Sequence, residues 1–252
     1  CIRSQRPAGR RLWSYDPTTD RVSVSPQLAH PRNRQLLTAA LREAFVYRSA
    51  HRLIPSTREA ESLLRIANNP QMIAETRAQA IRGITPAFPG LADYLAAFAS
   101  SNQPWQVRWA VAWKWGQLDD PRGDEQLLQL LADNVWVVRM AAARAWSRRG
   151  PPTDQGAIDR IVDALRRRLD DPAPEVGRAV IRALGTFGNR SPQARDALLA
   201  LIDGQTAHLT YRQEAVEALG YIDDETVIGR LKALIADNGA AHRSARLRLA
   251  LP

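Results

Sequence analysis

A phrase of ten to twelve residues recurs six times along this chain, and a recurrence at that spacing constrains the fold more than any single motif. The copies are "ETRAQAIRGI", "WQVRWAVAWKWG", "WVVRMAAARAWS", "PEVGRAVIRALG", "LTYRQEAVEALG" and "AAHRSARLRLAL". Aligned on Arg77, Arg108, Arg139, Gly177, Arg212 and Arg243, they stand 31, 31, 38, 35 and 31 residues apart. In the fourth copy the arginine comes one place later, at Arg178. Each copy follows a second amphipathic run, "AESLLRIA", "LADYLAAFA", "EQLLQLLA", "IDRIVDALRRRL", "RDALLALI" or "VIGRLKALI". The unit is therefore a helix, a short turn and a second helix. One such pair cannot bury its apolar face alone, so the pairs must stack.

The polar punctuation repeats as well. Six places before the anchor stand Gln71, Asn102, Asp133, Asp171, Thr206 and Asp237. Most of these are residues whose short side-chain oxygens cap a helix N-terminus. Proline follows in "NQPW" and "DDPAPEV", where a first helical turn accepts it. Gly116, Gly185 and Gly220 stand eight places after the anchor, where a C-terminal glycine would close the second helix.

Asp, one or two Pro, Val-Arg and an Ala-rich run ending Ala-Leu-Gly make a pattern that resembles HEAT repeats, of the short bacterial kind first named from phycobilisome lyases. "DDPAPEVGRAVIRALGTFGN" and "YRQEAVEALGYIDD" carry it best, and the resemblance covers residues 59 to 252. It implies an all-α fold, a right-handed α-solenoid of about six HEAT-like helix pairs. It also implies that the anchor arginines pair with loop aspartates of adjacent repeats in a ladder. The candidate rungs are Arg139 with Asp133 or Asp171, and Arg243 with Asp237. The first and last copies are the most degenerate, as expected of caps.

A helix turns about 100° per residue, so offsets from the anchor become faces. Offsets +3, +4 and +7 cluster into one apolar stripe. They hold Ala80, Ile81 and Ile84, then Val111, Ala112 and Trp115, then Ala142, Ala143 and Trp146, then Val180, Ile181 and Leu184, then Ala215, Val216 and Leu219. Trp115 and Trp146 are expected in the core. Trp105 and Trp136, both three places before the anchor, are expected as wedges at repeat junctions.

Offsets +1 and +5 point the opposite way, toward the surface that second helices usually line in stacked pairs. The first row reads Ala78, Trp109, Met140, Arg178, Gln213, Ser244, and the second Arg82, Trp113, Arg144, Arg182, Glu217, Arg248. Trp109, Trp113, Arg82, Arg144, Arg178, Arg182 and Arg248 are therefore the candidate protein-binding residues, Trp and Arg being the usual hot-spot types. The competing account packs Trp109 and Trp113 against the N-terminal region or a neighbouring helix.

Residues 1–34 have no helical periodicity and are broken by Pro7, Gly9, Pro17, Pro26 and Pro31. They are expected to form an extended arm or membrane tether, with "DRVSVSP" a short extended piece, ahead of a repeat domain over 35–252. The first helix expected there is "QLLTAALREAFVYRSAHRLI". The formal charge of the chain is +9. Residues 1–59 hold eleven arginines against Asp16, Asp20, Glu43 and Glu59, so they carry +7 of it. A chain numbered from its only cysteine resembles a mature bacterial lipoprotein. That resemblance implies lipid attachment at Cys1 and a membrane-anchored place in the cell envelope, on the periplasmic side. Arg3, Arg6, Arg10 and Arg11 would then lie beside the membrane, each adding roughly 1 kcal/mol of attraction to anionic lipid.

No motif for chemistry emerges. His30, His51, His208 and His242 are scattered without metal spacing. No serine sits in a nucleophile elbow and no glycine-rich loop makes a phosphate cradle. The expectation is a non-catalytic scaffold or accessory subunit of a cell-envelope complex, with no cofactor, binding a protein partner. The rival is a nucleic-acid-binding module, similar to HEAT-like glycosylases for alkylated DNA, which also combine a basic face with tryptophans. A third reading is a chaperone of the bilin-lyase type.

Overall fold

The computed structural model describes residues 2–5, 11–16, 21–24, 57–203 and 209–236. The chain divides into two compact units, Cys1–Lys114 and Trp115–Pro252. The expected helix over "QLLTAALREAFVYRSAHRLI" and the last repeat copy lie outside the described residues.

In the first unit, three short strands pair antiparallel in the order β1 (Ile2–Gln5), β2 (Arg11–Asp16), β3 (Arg21–Val24). Trp13 faces Val24 across β2 and β3, and Tyr15 faces Val22, while a bulge interrupts the β1 pairing between Arg3 and Gln5. β3 is the extended piece expected in "DRVSVSP". Its pairing into a meander is new, because strand pairing is a non-local property that a search for helical period does not test. Two helix pairs follow: α1 (Thr57–Asn68) with α2 (Ala74–Gly83), and α3 (Leu91–Phe98) with α4 (Trp105–Trp115). Gly90 holds the N-cap position ahead of α3, and its φ of 73° is a conformation that a side chain would strain.

The second unit holds α5 (Arg122–Leu131), α6 (Trp136–Arg149), α7 (Gln155–Arg166), α8 (Pro174–Phe187), α9 (Pro192–Asp203), α10 (Leu209–Leu219) and α11 (Glu225–Ala236). Second helices pack on second helices, α6 on α8 and α8 on α10. First helices do the same, α5 on α7 and α7 on α9. That is the layering of an α-solenoid, and the helical repeat expected from the period is the observed fold.

The predicted apolar stripe is the core. Every residue named at offsets +3, +4 and +7 is buried, and Trp115 and Trp146 have no exposed surface. Gly123 leaves the room for one of them, since a Cβ there would come within 2.7 Å of the Trp115 ring. Lateral spacing is set by small residues. A Cβ on Gly116 would come within 2.9 Å of the Ala145 Cα, and one on Gly185 within 2.9 Å of the Ala218 Cβ. Successive second helices thus touch through glycine on one and alanine on the next. This corrects the reading of Gly185 as a helix terminator, since it lies inside α8 and serves close packing.

The anchor arginines Arg77, Arg108 and Arg139 are buried, and Arg77 and Arg139 form rungs. Arg139 donates from Nε and Nη2 to the two Asp171 carboxylate oxygens, at 2.7 and 2.8 Å. Its Nη1 donates to the Asp133 and Asn134 carbonyls, at 2.9 and 3.1 Å. Both proposed aspartates therefore serve it, one by carboxylate and one by main chain. Arg77 makes a neutral rung, donating to the Ala67 carbonyl at 2.7 Å and to Gln103 Oε1 at 2.8 Å. Burial accordingly pulls the Arg77 pKa below its ordinary value, whereas the hydrogen bonds that Arg139 donates to Asp171 raise its own. Arg243 and Asp237 lie outside the described residues.

The repeated aspartates do not cap their helices directly. Asp133 Oδ1 accepts from Val135 N at 2.8 Å and Asp171 Oδ1 from Ala173 N at 3.0 Å, each a tight turn one step ahead of the helix. Val135 and Ala173 hold the cap positions without a side-chain bond. Direct capping occurs at a first helix instead, where Asp154 accepts from Ala157 N at 2.6 Å.

Candidate interaction site

In the first unit the predicted aromatic pair comes together with a predicted arginine. Trp109 and Trp113 lie one turn apart on α4, both half-buried. Arg82, at the end of α2, lays its guanidinium over both rings, 5.2 Å from the Trp109 centroid and 4.7 Å from that of Trp113. These are cation–π distances. Among the described residues, the neighbouring helix α2 sets Arg82 against these rings. Arg82 Nη1 also donates to Gln79 Oε1 at 3.4 Å, the next residue back on the same face of α2.

Beneath this stack sits a residue that sequence reasoning missed. Lys114 is buried, and its Nζ donates to the carbonyls of Arg82 at 2.9 Å and Ile84 at 2.6 Å. An ammonium at a helix C-terminus satisfies carbonyls the helix leaves open. The same Nζ lies 5.1 Å from the Trp113 centroid. Burial, and then the Arg82 charge, lower the Lys114 pKa from 10.5 to about 7. A signal existed: the equivalent places in other copies hold Gly83, Ala145, Ala183 and Ala218, so a lysine there is anomalous.

In the second unit the arginines behave differently. Arg178 and Arg182, one turn apart on α8, converge on Glu214 of α10. Arg178 donates from Nε and Nη2 at 3.0 and 2.9 Å, and Arg182 from Nε and Nη2 at 2.7 Å each. The arginine side chains remain 44% and 49% exposed, but their charge is answered within the fold. Burial pushes the Glu214 carboxyl up, and the hydrogen bonds and charges of Arg182 and Arg178 outweigh it, holding it below its ordinary value. Arg144 is exposed on α6. Beside the cluster, Ser147, Arg182, Thr186, Glu217 and Tyr221 line a shallow groove of about 400 Å³.

The remaining candidates fall elsewhere. Cys1, Arg6, Arg10 and Arg248 lie outside the described residues, and Arg3 and Arg11 belong to β1 and β2. Trp105 and Trp136 begin α4 and α6 as expected, but they are not buried wedges: 41% and 42% of their surface is exposed. The first turn of a helix projects past its neighbours, which leaves a ring there open on one side. Among the described residues no His, Cys, Asp and Glu cluster could hold a metal ion, and no helix is long and apolar enough to cross a membrane.

The profile of the HEAT repeats family matches residues 60–147 and 150–210, more than half of the chain. An engineered protein of known structure aligns with a TM-score of 0.54 at 21% identity, over 75% of this chain and 94% of that one. A designed armadillo repeat protein aligns at 0.52 and 16% identity, over 75% and 97%. Kap121p aligns at 0.51 and 15% identity over 89% of this chain, which spans only 28% of Kap121p. At these identities the likeness concerns the fold. No protein of curated function matches the sequence.

Proposed function

This chain belongs to the HEAT repeats family, and from that premise we propose that it is a non-catalytic scaffold whose second helices hold a protein partner. The observation that carries the proposal is the Arg82, Trp109 and Trp113 stack, built from two successive second helices and still partly open to solvent. Tryptophan and arginine side chains already held by their neighbours lose little freedom on binding, and such residues dominate protein interfaces. A place in the cell envelope, with lipid on Cys1 and the adjacent arginines against the membrane, is part of the same proposal.

Two measurements test it. The full chain is purified from native membranes as wild type, W113A and Y221A, with unfolding melts to establish that each variant is folded. A partner retained by wild type and Y221A but lost by W113A supports the scaffold reading, and equal recovery in all three contradicts it. Mass spectrometry of the N-terminal peptide tests the anchor separately: a diacylglyceryl mass on Cys1 is expected, and an unmodified cysteine contradicts that part.

A further inference from the structure

We propose that the N-terminal ends of the second helices in the second unit form an apolar edge that docks a basic amphipathic helix of a second protein partner. Among the described residues five large apolar side chains are exposed, and three of them, Trp105, Trp136 and Leu209, are the first residue of a second helix. All three stand three places before their anchors. The exposed Pro174 holds that place on α8. α6 packs on α8 and α8 on α10, so Trp136, Pro174 and Leu209 follow one another along one edge of the second unit. The fold does not bury them: 42% of Trp136 and 54% of Leu209 is exposed. A contiguous apolar line of this kind marks an interaction surface.

Spacing selects the occupant. Packed helices lie about 8–10 Å apart. Seven residues of α-helix rise about 10.5 Å and return to nearly the same face. An amphipathic helix laid along the edge thus offers one apolar side chain to each of the three places. A β-strand does not, because its side chains alternate faces and repeat on one face every ~6.6 Å. Charge selects the flanks of that helix. Asp170 and Glu175 are exposed on either side of Pro174. Tyr211, whose hydroxyl donates to the Pro174 carbonyl at 3.3 Å, reports the local field. Burial raises its pKa, Asp171, Glu175 and Asp170 raise it further, and Arg178, itself held by Glu214, opposes them. Of the cations in the turn before α8, Arg168 lies 3.9 Å from Asp171 and Arg167 closes α7. The positive ends of α6 and α8 are met by acids of the chain, since Asp133 accepts from Val135 N and Asp171 from Ala173 N. Lysines or arginines beside the apolar stripe of an incoming helix complement such an edge.

The test is a fluorescence anisotropy titration of the full chain with three labelled peptides of about eighteen residues, or five helical turns. One is a Leu-Lys helix with its leucines on a single stripe, one has Glu for every Lys, and one is a scrambled Leu-Lys sequence. Wild type, W136S, L209S, Y221S and the double variant D170N/E175Q are compared, with melts recorded for each. The Leu-Lys helix is expected to bind wild type and Y221S alike, and to weaken by about tenfold in W136S and in L209S, as for one lost interface contact. D170N/E175Q should weaken it at low salt and leave it unchanged at high salt, where surface charges are screened. No binding to wild type, equal binding of the Glu or scrambled peptide, or affinity unmoved by W136S and L209S would each overturn the proposal. Should one serine variant fail to fold, the other decides. The edge shares no residue with the Arg82, Trp109 and Trp113 stack, so its failure leaves the scaffold reading standing.

Discussion

A Cβ placed on Gly177 would stand 2.1 Å from the hydroxyl oxygen of Tyr211. Gly177 holds the anchor position, where three other described copies carry a buried arginine or, in the fifth, Arg212. Tyr211, immediately before the fifth anchor, reaches back across α8 and donates to the Pro174 carbonyl at 3.3 Å. The missing arginine of the fourth copy and the tyrosine of the fifth are one structural event, in which an aromatic ring fills space that a side chain would otherwise occupy.

That relationship predicts non-additivity. G177A alone should destabilise the protein by about 1–3 kcal/mol, as overpacking does. In a Y211A background the obstacle is gone, and the same substitution should be neutral or stabilising by a few tenths of a kcal/mol, since alanine favours a helix interior over glycine. Urea unfolding of the four proteins in the cycle measures the coupling.

The Arg139 and Asp171 rung should behave as a buried ion pair. D171A leaves Arg139 without its carboxylate and should cost about 3–5 kcal/mol. Burial raises the Asp171 pKa, but the Arg139 hydrogen bond, the Ala173 N–H and nearby positive charge more than offset it, so the folded value lies below the ordinary one. A depressed carboxylate stabilises the fold above its unfolded pKa and loses that contribution as pH falls through the folded value. Acid unfolding curves should therefore lose part of their steepness below about pH 4 in D171A relative to wild type.

Lys114 carries the opposite pH signature. Its folded pKa of about 7 lies below the unfolded value of 10.5. Between those limits the unfolded chain binds more protons than the folded one, so the lysine's contribution to stability rises with pH across the window. Below about 7 both states are protonated and the contribution is flat. In K114M this rise should vanish, even though leaving the Arg82 and Ile84 carbonyls without their donor costs about 1–3 kcal/mol at every pH. Unfolding free energies at pH 6, 7.5 and 9 for both proteins give the comparison.

The tryptophans should separate into two classes. W146A removes a fully buried ring and should cost about 3–5 kcal/mol. W136A, at the open start of the same helix, should stay within about 1 kcal/mol of wild type. Denaturant midpoints of the two variants check this directly.

The period and the offset pattern together made the helix pairs, the core stripe and the arginine rungs legible. All three depend on local spacing repeated many times, which is what a sequence displays. Less was visible wherever one copy departs from the rule to meet another. The Arg178, Arg182 and Glu214 cluster joins offsets +1 and +5 of one copy to offset +2 of the next, and nothing within either copy announces the pairing. Arg82 over Trp109 and Trp113 is a similar case: each residue was named as a candidate, but their mutual contact is a property of adjacent repeats. Lys114 lies on the buried side, where the offset pattern predicts no charge, although the small or apolar residues in its sister positions mark it as out of place. The sheet of β1, β2 and β3 rests on pairing between separate segments, which helical periodicity does not display.

The central claim is that the open face of α4 around Trp113 meets a protein partner. A photo-crosslinking amino acid placed at position 113, and in a parallel protein at position 136, tests it most directly in native cells. The account predicts one discrete crosslinked protein from position 113 and none in common from position 136. No crosslink from position 113, or the same products from both positions, would contradict it.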